Sequence, residues 1–474
     1  MKAQETSSES GTRRLARFSS GLDFSSIPPR VVEAAKTCIL DTVGCALYAA
    51  SMPWSRIVQD WVAAEASEDL SSIWGTERQA SPSLAALANG TAAHGFEIDD
   101  VHSLAGFHPG SATLPAVLAL AEARGKVTGA ELLTAVVAGY EAGSRVGLAM
   151  GNGHFRRGFH PQGTVGSIAA CTGAARVLGL HMEATVNAFG VAGSMAAGLM
   201  AAQEGGMVKR LHAGRASQNG VVAAQLAQRG FIGTVNVLEA EFGGFFSTLG
   251  AEPGASGRLV DGLGDRWETL NVGFKIHASS AANHTTLDAV AALRASNALV
   301  AKDIKHVLVE TTSHVVVHGG WDYSPRGTTN AQMSLKYGVA VMLAAGDAFI
   351  AQFTDDRVRD RDLVDLASRV EVVADPEMDG LGPALKHATR VTIQTRDGRT
   401  LSADARERRG GPKNPVNRDE IVAKYRVLAD AAAIPDADSL LRTVMSLEAI
   451  EDIAELLVPL RRRAVGVGKG KLSL

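Results

Sequence analysis

From residue 84 to residue 229 the chain is almost entirely helix-forming sequence dense in alanine and glycine, which restricts it to folds in which many helices cross closely. Apolar residues recur at helical spacing over 84–96, 113–124, 129–149, 163–178, 183–203 and 209–229, joined by connectors of Gly, His and Pro. The segment 184–203 carries no charge, yet Asn187, Ser194, Gln203 and three glycines dilute it too far for a membrane span. Within it Gly190, Ser194, Gly198 and Ala202 recur every four residues and lay a smooth stripe on one face, the pattern of a central, tightly packed helix. No repeat of fixed period runs through these segments, which argues against a solenoid.

Upstream, Val31, Val32, Ala35, Cys38, Ile39, Val43 and Leu47 trace another helical stripe after Pro28-Pro29, 57–64 forms a further helix, and 70–80 is a short extended link. The character changes near Lys275. Residues 304–317, 368–374 and 389–396 are strand-like, Arg396-Asp397-Gly398-Arg399 is a hairpin turn leading into 400–405, and Ala331–Ala345 is helical between them. The expected fold is mainly α: a large all-helical domain over 1–272, a smaller α+β domain over 273–408, and C-terminal helices in 409–474 that rejoin the helical domain. Residues 1–12 are polar and read as a disordered lead-in without the apolar core of a signal peptide, and the basic tail Arg461–Lys471 as solvated.

Charge excludes some partners. Against 50 acidic residues stand 47 basic ones, a net charge of −3, so no global field draws nucleic acid or an anionic membrane. Cys38, Cys45 and Cys171 are odd in number, lack CxxC spacing and read as core residues, which fits a cytoplasmic protein.

Four segments concentrate chemistry. In 94–108, His94, Glu97, Asp99, Asp100, His102 and His108 place three carboxylates and three imidazoles within fifteen residues flanked by apolar helices. Next, His160-Pro161-Gln162-Gly163-Thr164 precedes a helix, whose N-terminus favours a carboxylate or phosphate. Lys209, Arg210, His212 and Arg215 crowd a run after Gly205-Gly206, with Lys209 and His212 on one helical face. Finally Lys275, His277, Ser280 and His284 stand where the first domain passes into the second, a favoured place for ligands. Each segment alone has an ordinary structural reading as caps, core histidines or a solvated face. Without a Walker loop, a GxGxxG fingerprint or cysteine metal spacing, the joint inventory suits removal of a proton beside a carboxylate, with cations to stabilise the carbanion. A metal enzyme using Glu97, Asp99, Asp100 and His102, or an inert binding protein, are the alternatives of another class.

These blocks, with Asn89-Gly90, Lys209-Arg210-Leu211-His212-Ala213-Gly214, Asn219-Gly220, Phe274-Lys275, Ser334-Leu335-Lys336-Tyr337 and Asn414-Pro415, make the chain resemble the MmgE/PrpD family from about Leu15 to about Arg462. The resemblance implies a homodimer with a helical body and a smaller lid, and cofactor-independent, metal-free catalysis in the cleft between them. The reaction it implies is a lyase step, dehydration or decarboxylation, on a small di- or tricarboxylate through proton abstraction, or epimerisation of a dicarboxylate through the same carbanion. It also implies catalytic roles at Glu97, His108, His160, Lys209 and Lys275, of which His160, Lys209 and His108 are the expected catalytic set, with His160 or Lys209 as base or acid. Glu97, Asp100, His102, Gln162, Lys275 and Ser280 are then the expected substrate contacts, His108 and Lys275 holding carboxylates and Glu97 orienting a histidine. Two positions depart from the family pattern: Glu97 where its dehydratases and decarboxylases usually carry Asp, and Ser280-Ala281 where many members carry Cys, often followed by an Arg that clamps a carboxylate.

Overall fold

A computed structural model describes residues 9–68 and 70–461 of the chain. Ser10 caps the first helix, α1 (Gly11–Ser20), so order begins two residues inside the expected lead-in; residues 1–8 of that lead-in, like the tail beyond Arg461, lie outside the described residues. Arg461 itself is exposed, as expected, and its guanidinium reaches Glu122 at 2.7 Å. Next come α2 (Pro29–Ala49), α3 (Pro53–Glu65), a two-residue pairing of β1 (Ser71–Ser72) with β2 (Gln79–Ala80), and α4 (Pro82–Ala93). They are followed by α5 (Pro109–Arg124), α6 (Gly129–Arg156), α7 (Pro161–Val177), α8 (Met182–Met195) and α9 (Val208–Gln228). Prolines open α2 to α5 and α7, where their fixed φ suits a first turn and the missing N–H costs nothing.

The small residues do what their density implies. A Cβ added to Gly214 of α9 would lie 2.3 Å from the Leu87 carbonyl of α4, and one on Gly220 would lie 2.5 Å from the Ala170 backbone of α7. Helix α9 is therefore wedged backbone to backbone between α4 and α7, and its first turn, with Lys209, Arg210 and His212, is delivered to a fixed place. Around these crossings one buried cluster runs from Leu15 through Val117, Val137, Ile168 and Val221.

The stripe in 184–203 is realised differently from its reading as one central helix. Helix α8 stops at Met195, the chain turns extended with Leu199 bridging Phe159, and a short 3-10 turn, Met200–Glu204, follows. Gly198 adopts φ 158°, which breaks the stripe, and Gly190 instead admits the backbone of Thr234 within 2.2 Å of a Cβ position. No helix among the described residues is long and apolar enough to cross a membrane.

The second part holds α10 (His284–Asn297), β3 (Ile304–Thr311), α11 (Ser313–Gly319), α12 (Leu335–Ala345), β4 (Val370–Ala374), β5 (Thr389–Thr395) and β6 (Thr400–Ala405). The sheet order is β4-β3-β5-β6, with β3 parallel to β4 and antiparallel to β5. Val307, Val309, Val391 and Ile393 bury one face of the sheet against a second cluster that includes Leu287 and Leu335. The stretch 304–317, read as one strand, divides at Thr312: its hydroxyl accepts the Val315 N–H and starts α11, so His314 and His318 share a helical face instead of a sheet edge.

After the sheet, α13 (Arg418–Ala431) returns to the helical body and lies on α2, with Tyr425 in the first cluster. Lys424 of α13 is buried and ionically bound to Asp41 of α2 at 2.6 Å; it also donates to the Ile98 carbonyl. This contact reaches from the end of the chain to the loop after α4.

Two glycine substitutions separate close packing from mere flexibility. Gly214→Ala forces α9 away from α4 and lowers stability by about 1–3 kcal/mol. Gly257→Ala, in the short helix Ala255–Val260 with nothing near its added methyl, raises it by about 0.4–1 kcal/mol. Urea denaturation midpoints of the two variants check both signs.

Candidate active site

The loop between α4 and α5 is bent at Glu97, a non-glycine residue at φ 56°. Backbone strain of this kind costs about 1–3 kcal/mol and persists only where neighbours fix it. Here the flanking carbonyls are both held, Phe96 by the Gln332 side-chain amide at 2.7 Å and Ile98 by Lys424. The side chains of Phe96 and Ile98 are buried with Tyr48 and Trp54 in the second cluster. Glu97 is thereby turned inward.

Its carboxylate meets Lys209 and Arg210 from α9 and Lys275, at 2.9 Å, from the segment entering the second part of the chain. Burial opposes its charge, but these three cations prevail and hold the carboxyl well below its ordinary range. Arg210 also bonds Gln332 at 2.9 Å and lies 5.7 Å above the Trp54 ring. Lys209 feels burial most; Glu97 opposes it, Arg210 and Lys275 add to it, and the ammonium is lowered to about 8.

Asp99 forms a second node. Its Oδ2 accepts from His94 Nδ1 at 2.7 Å and from the Ser111 hydroxyl at 3.0 Å, and His108 Nδ1 stands 3.2 Å away. Burial lowers His94 to about 3, so the ring is neutral and donates through Nδ1, leaving a buried Nε2 without a partner. His108 and His160 arise from the same device, a His-Pro pair that places the histidine at a helix N-cap, on α5 and α7 respectively. The His108 Nδ1 donates to the Asp100 carbonyl at 2.7 Å, while the Nδ1 atoms of His160 and His212 share one proton across 2.8 Å. All three imidazoles are shifted down, chiefly by burial, with Lys209 adding to the effect on His160 and His212.

His108, His160, Lys209, Glu97 and Ser280 line one cleft of about 790 Å³, its mouth included, between the helical body and the sheet-bearing part. The other expected substrate contacts do not reach it. Asp100 faces away, accepting from the Gly110 N–H at 3.0 Å and the Tyr140 hydroxyl at 2.8 Å, and burial raises its carboxyl to about 8. His102 is turned to Glu268 at 3.2 Å and accepts the Ala105 N–H, which folds its own loop. Gln162 is fully buried: it accepts from the His108 N–H at 2.9 Å and donates to the His108 carbonyl at 3.1 Å, binding the starts of α5 and α7 together. Lys275 lies beneath the cleft, spent on Glu97 and, at 3.6 Å, on Asp99. Glu97 orients no histidine; Asp99 does.

Asp99, His94, Arg210 and His212 therefore support the site, although the sequence gives Asp99 a role only as a weighed metal ligand and the other three none. On the opposite wall His314, His318, Lys386 and His387 also face the cleft. Reading Thr312 as an N-cap would have placed His314 and His318 one turn apart on a helix.

The four residues weighed as metal ligands do not converge, because Glu97, Asp100 and His102 point to three different sets of partners. A tighter trio, His94, Asp99 and His108, brings its ligand atoms within 4.8 Å of one another. There the carboxylate already accepts from His94 through Oδ2, and the Lys275 ammonium stands 3.6 Å from its Oδ1.

Glu97→Gln leaves three buried cations without their shared anion. Loss of about 3–5 kcal/mol of unfolding free energy is expected, measured by urea denaturation at neutral pH; an unchanged midpoint would show that the cluster is not structural.

Residues 13–256 match the model of the MmgE/PrpD N-terminal domain, and residues 277–448 that of the MmgE/PrpD C-terminal domain. A cis-aconitate decarboxylase-like protein of Aspergillus oryzae is 33% identical over 471 residues, covering 94% of this chain and 96% of its own. The cis-aconitate decarboxylase of Aspergillus terreus is 33% identical over 481 residues, covering 96% and 97%. The human cis-aconitate decarboxylase is 28% identical over 463 residues, covering 95% and 94%. With both halves matched and similarity sustained over nearly the whole length, this chain is an enzyme of the MmgE/PrpD family.

Proposed function

We propose that the enzyme decarboxylates cis-aconitate, or an unsaturated tricarboxylate of the same skeleton, without a cofactor. The observation that carries this reading is the convergence of His108, His160 and Lys209 on a cleft whose one lining carboxylate among the described residues, Glu97, is already bound by three cations. The names of the relatives supply reaction and substrate.

In such a substrate the departing carboxylate sits on a methylene beside the alkene. Its C–C bond breaks, carbon dioxide leaves, and the electron pair moves through the alkene to the far carbon, whose carboxylate spreads the charge. A proton delivered to that carbon completes the product with the double bond shifted by one position, so one proton enters for each carbon dioxide lost.

Lys209 is the proton donor in this scheme. Lowered to about 8, it is charged at neutral pH yet gives up its proton more readily than an ordinary lysine. His108 and His160, neutral in the free enzyme, gain protons as substrate carboxylates arrive, because an anion in contact raises an imidazole pKa. Neutralising the developing carbanion with cations in a buried cleft is where most of the barrier reduction lies.

The same proposal includes residues 273–408 as a lid, a homodimer and a cytoplasmic location. The exposed apolar side chains of Phe231, Ile232, Val235 and Phe242 give a second copy a surface to cover, and three buried, unpaired thiols suit a reducing compartment.

Incubation with cis-aconitate in heavy water, followed by NMR, tests the reaction. Carbon dioxide loss with one deuteron incorporated at a single methylene is expected. Lys209→Met, folded by circular dichroism, should slow this by a factor of about 100 or more. Deuteration without carbon dioxide release would point instead to proton exchange or double-bond isomerisation, and full rate in the variant would remove Lys209 from its role.

A further inference from the structure

The cleft has two ends of different electrostatic character. At the reacting end Lys209 is bound to Glu97, with Arg210 and Lys275 sharing the same carboxylate. On the opposite wall Lys386 comes from the turn before β5, and its ammonium pairs with no carboxylate and donates to no oxygen among the described residues. Its backbone is nevertheless fixed, because the Lys386 carbonyl accepts the Thr312 hydroxyl at 2.5 Å at the start of α11.

Three imidazoles line the cleft with it. The His314 ring lies 5.5 Å from that of His387 and 5.9 Å from that of His318, and Phe155 of α6 packs on both His314 and His318 at 4.9 and 5.4 Å. His318 Nδ1 is buried without a hydrogen-bond partner. Burial lowers all three rings first and Lys386 adds to the effect, and burial lowers Lys386 itself to about 8.

A half-buried ammonium with no counter-charge attracts an anion that enters the cleft and displaces its water. Among the described residues no acidic side chain lines this wall of the cleft. The anion it meets comes from outside.

We propose that Lys386, with His314, His318 and His387, forms a second anion subsite that binds the spectator carboxylate of the substrate, and so selects tricarboxylates over dicarboxylates. This rests on the decarboxylase reading above. In that reaction one carboxylate leaves and a second takes up the carbanion charge. The third, on the substituted alkene carbon, takes no part and needs only a fixed cation to orient the molecule. Placing that cation across the cleft from Lys209 pins the substrate at two points.

The test uses two unreactive ligands that differ by that one group: tricarballylate, which has a central carboxylate, and glutarate, which lacks it. Calorimetric affinities are measured for wild type, Lys386→Met and Lys386→Arg, alongside turnover of cis-aconitate and the melting temperature of each variant. Lys386→Met should weaken tricarballylate by about tenfold or more, the scale of one charge-assisted hydrogen bond, and leave glutarate within about twofold. KM for cis-aconitate should rise in step, and Lys386→Arg should recover most of both losses. Equal affinity of wild type and Lys386→Met for tricarballylate, in a wild type that turns over cis-aconitate, would overturn the subsite and leave the reaction standing. A wild type that neither binds tricarballylate nor turns over cis-aconitate would overturn both. If Lys386→Met melts well below wild type, the His314→Gln variant decides: unchanged tricarballylate affinity there refutes the subsite, and a selective loss supports it.

Discussion

A single carboxylate, that of Glu97, is shared by three cations that arrive from distant parts of the chain, and the geometry of the cleft depends on it. Removing four charged groups from water is costly, and an apolar replacement of the same shape would often be at least as stable. What the cluster secures is position. It ties the first turn of α9, the bent loop after α4 and the segment at Lys275 to one point, and it does so across the boundary between helical body and sheet. The strained φ at Glu97 fits this role, because backbone that must aim one side chain inward cannot also relax.

Around that point the protein repeats one local solution. His108 and His160 each precede a proline that opens a buried helix, so each imidazole sits at the positive end of a helix while the next residues pack away from solvent. Gln162 joins the two helix starts, and Asp99 takes the proton-bearing nitrogen of His94. Burial together with nearby cations keeps these rings neutral until an anion enters. The site is thus built to hold negative charge that it does not itself supply. Lys424, reaching from α13 to Asp41 and the Ile98 carbonyl, makes the end of the chain part of the same support.

Much of this was legible in the sequence. Alanine and glycine at helical spacing implied close crossings, realised where Gly214 meets Leu87 and Gly220 meets Ala170. The family resemblance, resting on blocks spread over the whole chain, holds in both halves. Direction was harder to read. Glu97, Asp99 and Asp100 fall within four residues of an irregular loop, where no period tells which carboxylate faces the cleft, and tertiary partners decide it. The same holds for Lys275, whose charge was legible but whose partner lies 178 residues away. The division of 304–317 at Thr312 reflects local competition, since a run of valines favours a strand until a capping hydroxyl offers the helix a start. In 183–203, Gly198 keeps the small-residue spacing of a helix but serves as a bend.

The account centres on Lys209 as a buried ammonium whose proton is loosened by its surroundings while Glu97 keeps it charged. An NMR titration of the isotopically labelled Lys209 side chain in the free enzyme reads this directly. A midpoint near 8, charged below and neutral above, is the expected result. A midpoint near 10.5, the value of an ordinary exposed lysine, would contradict it.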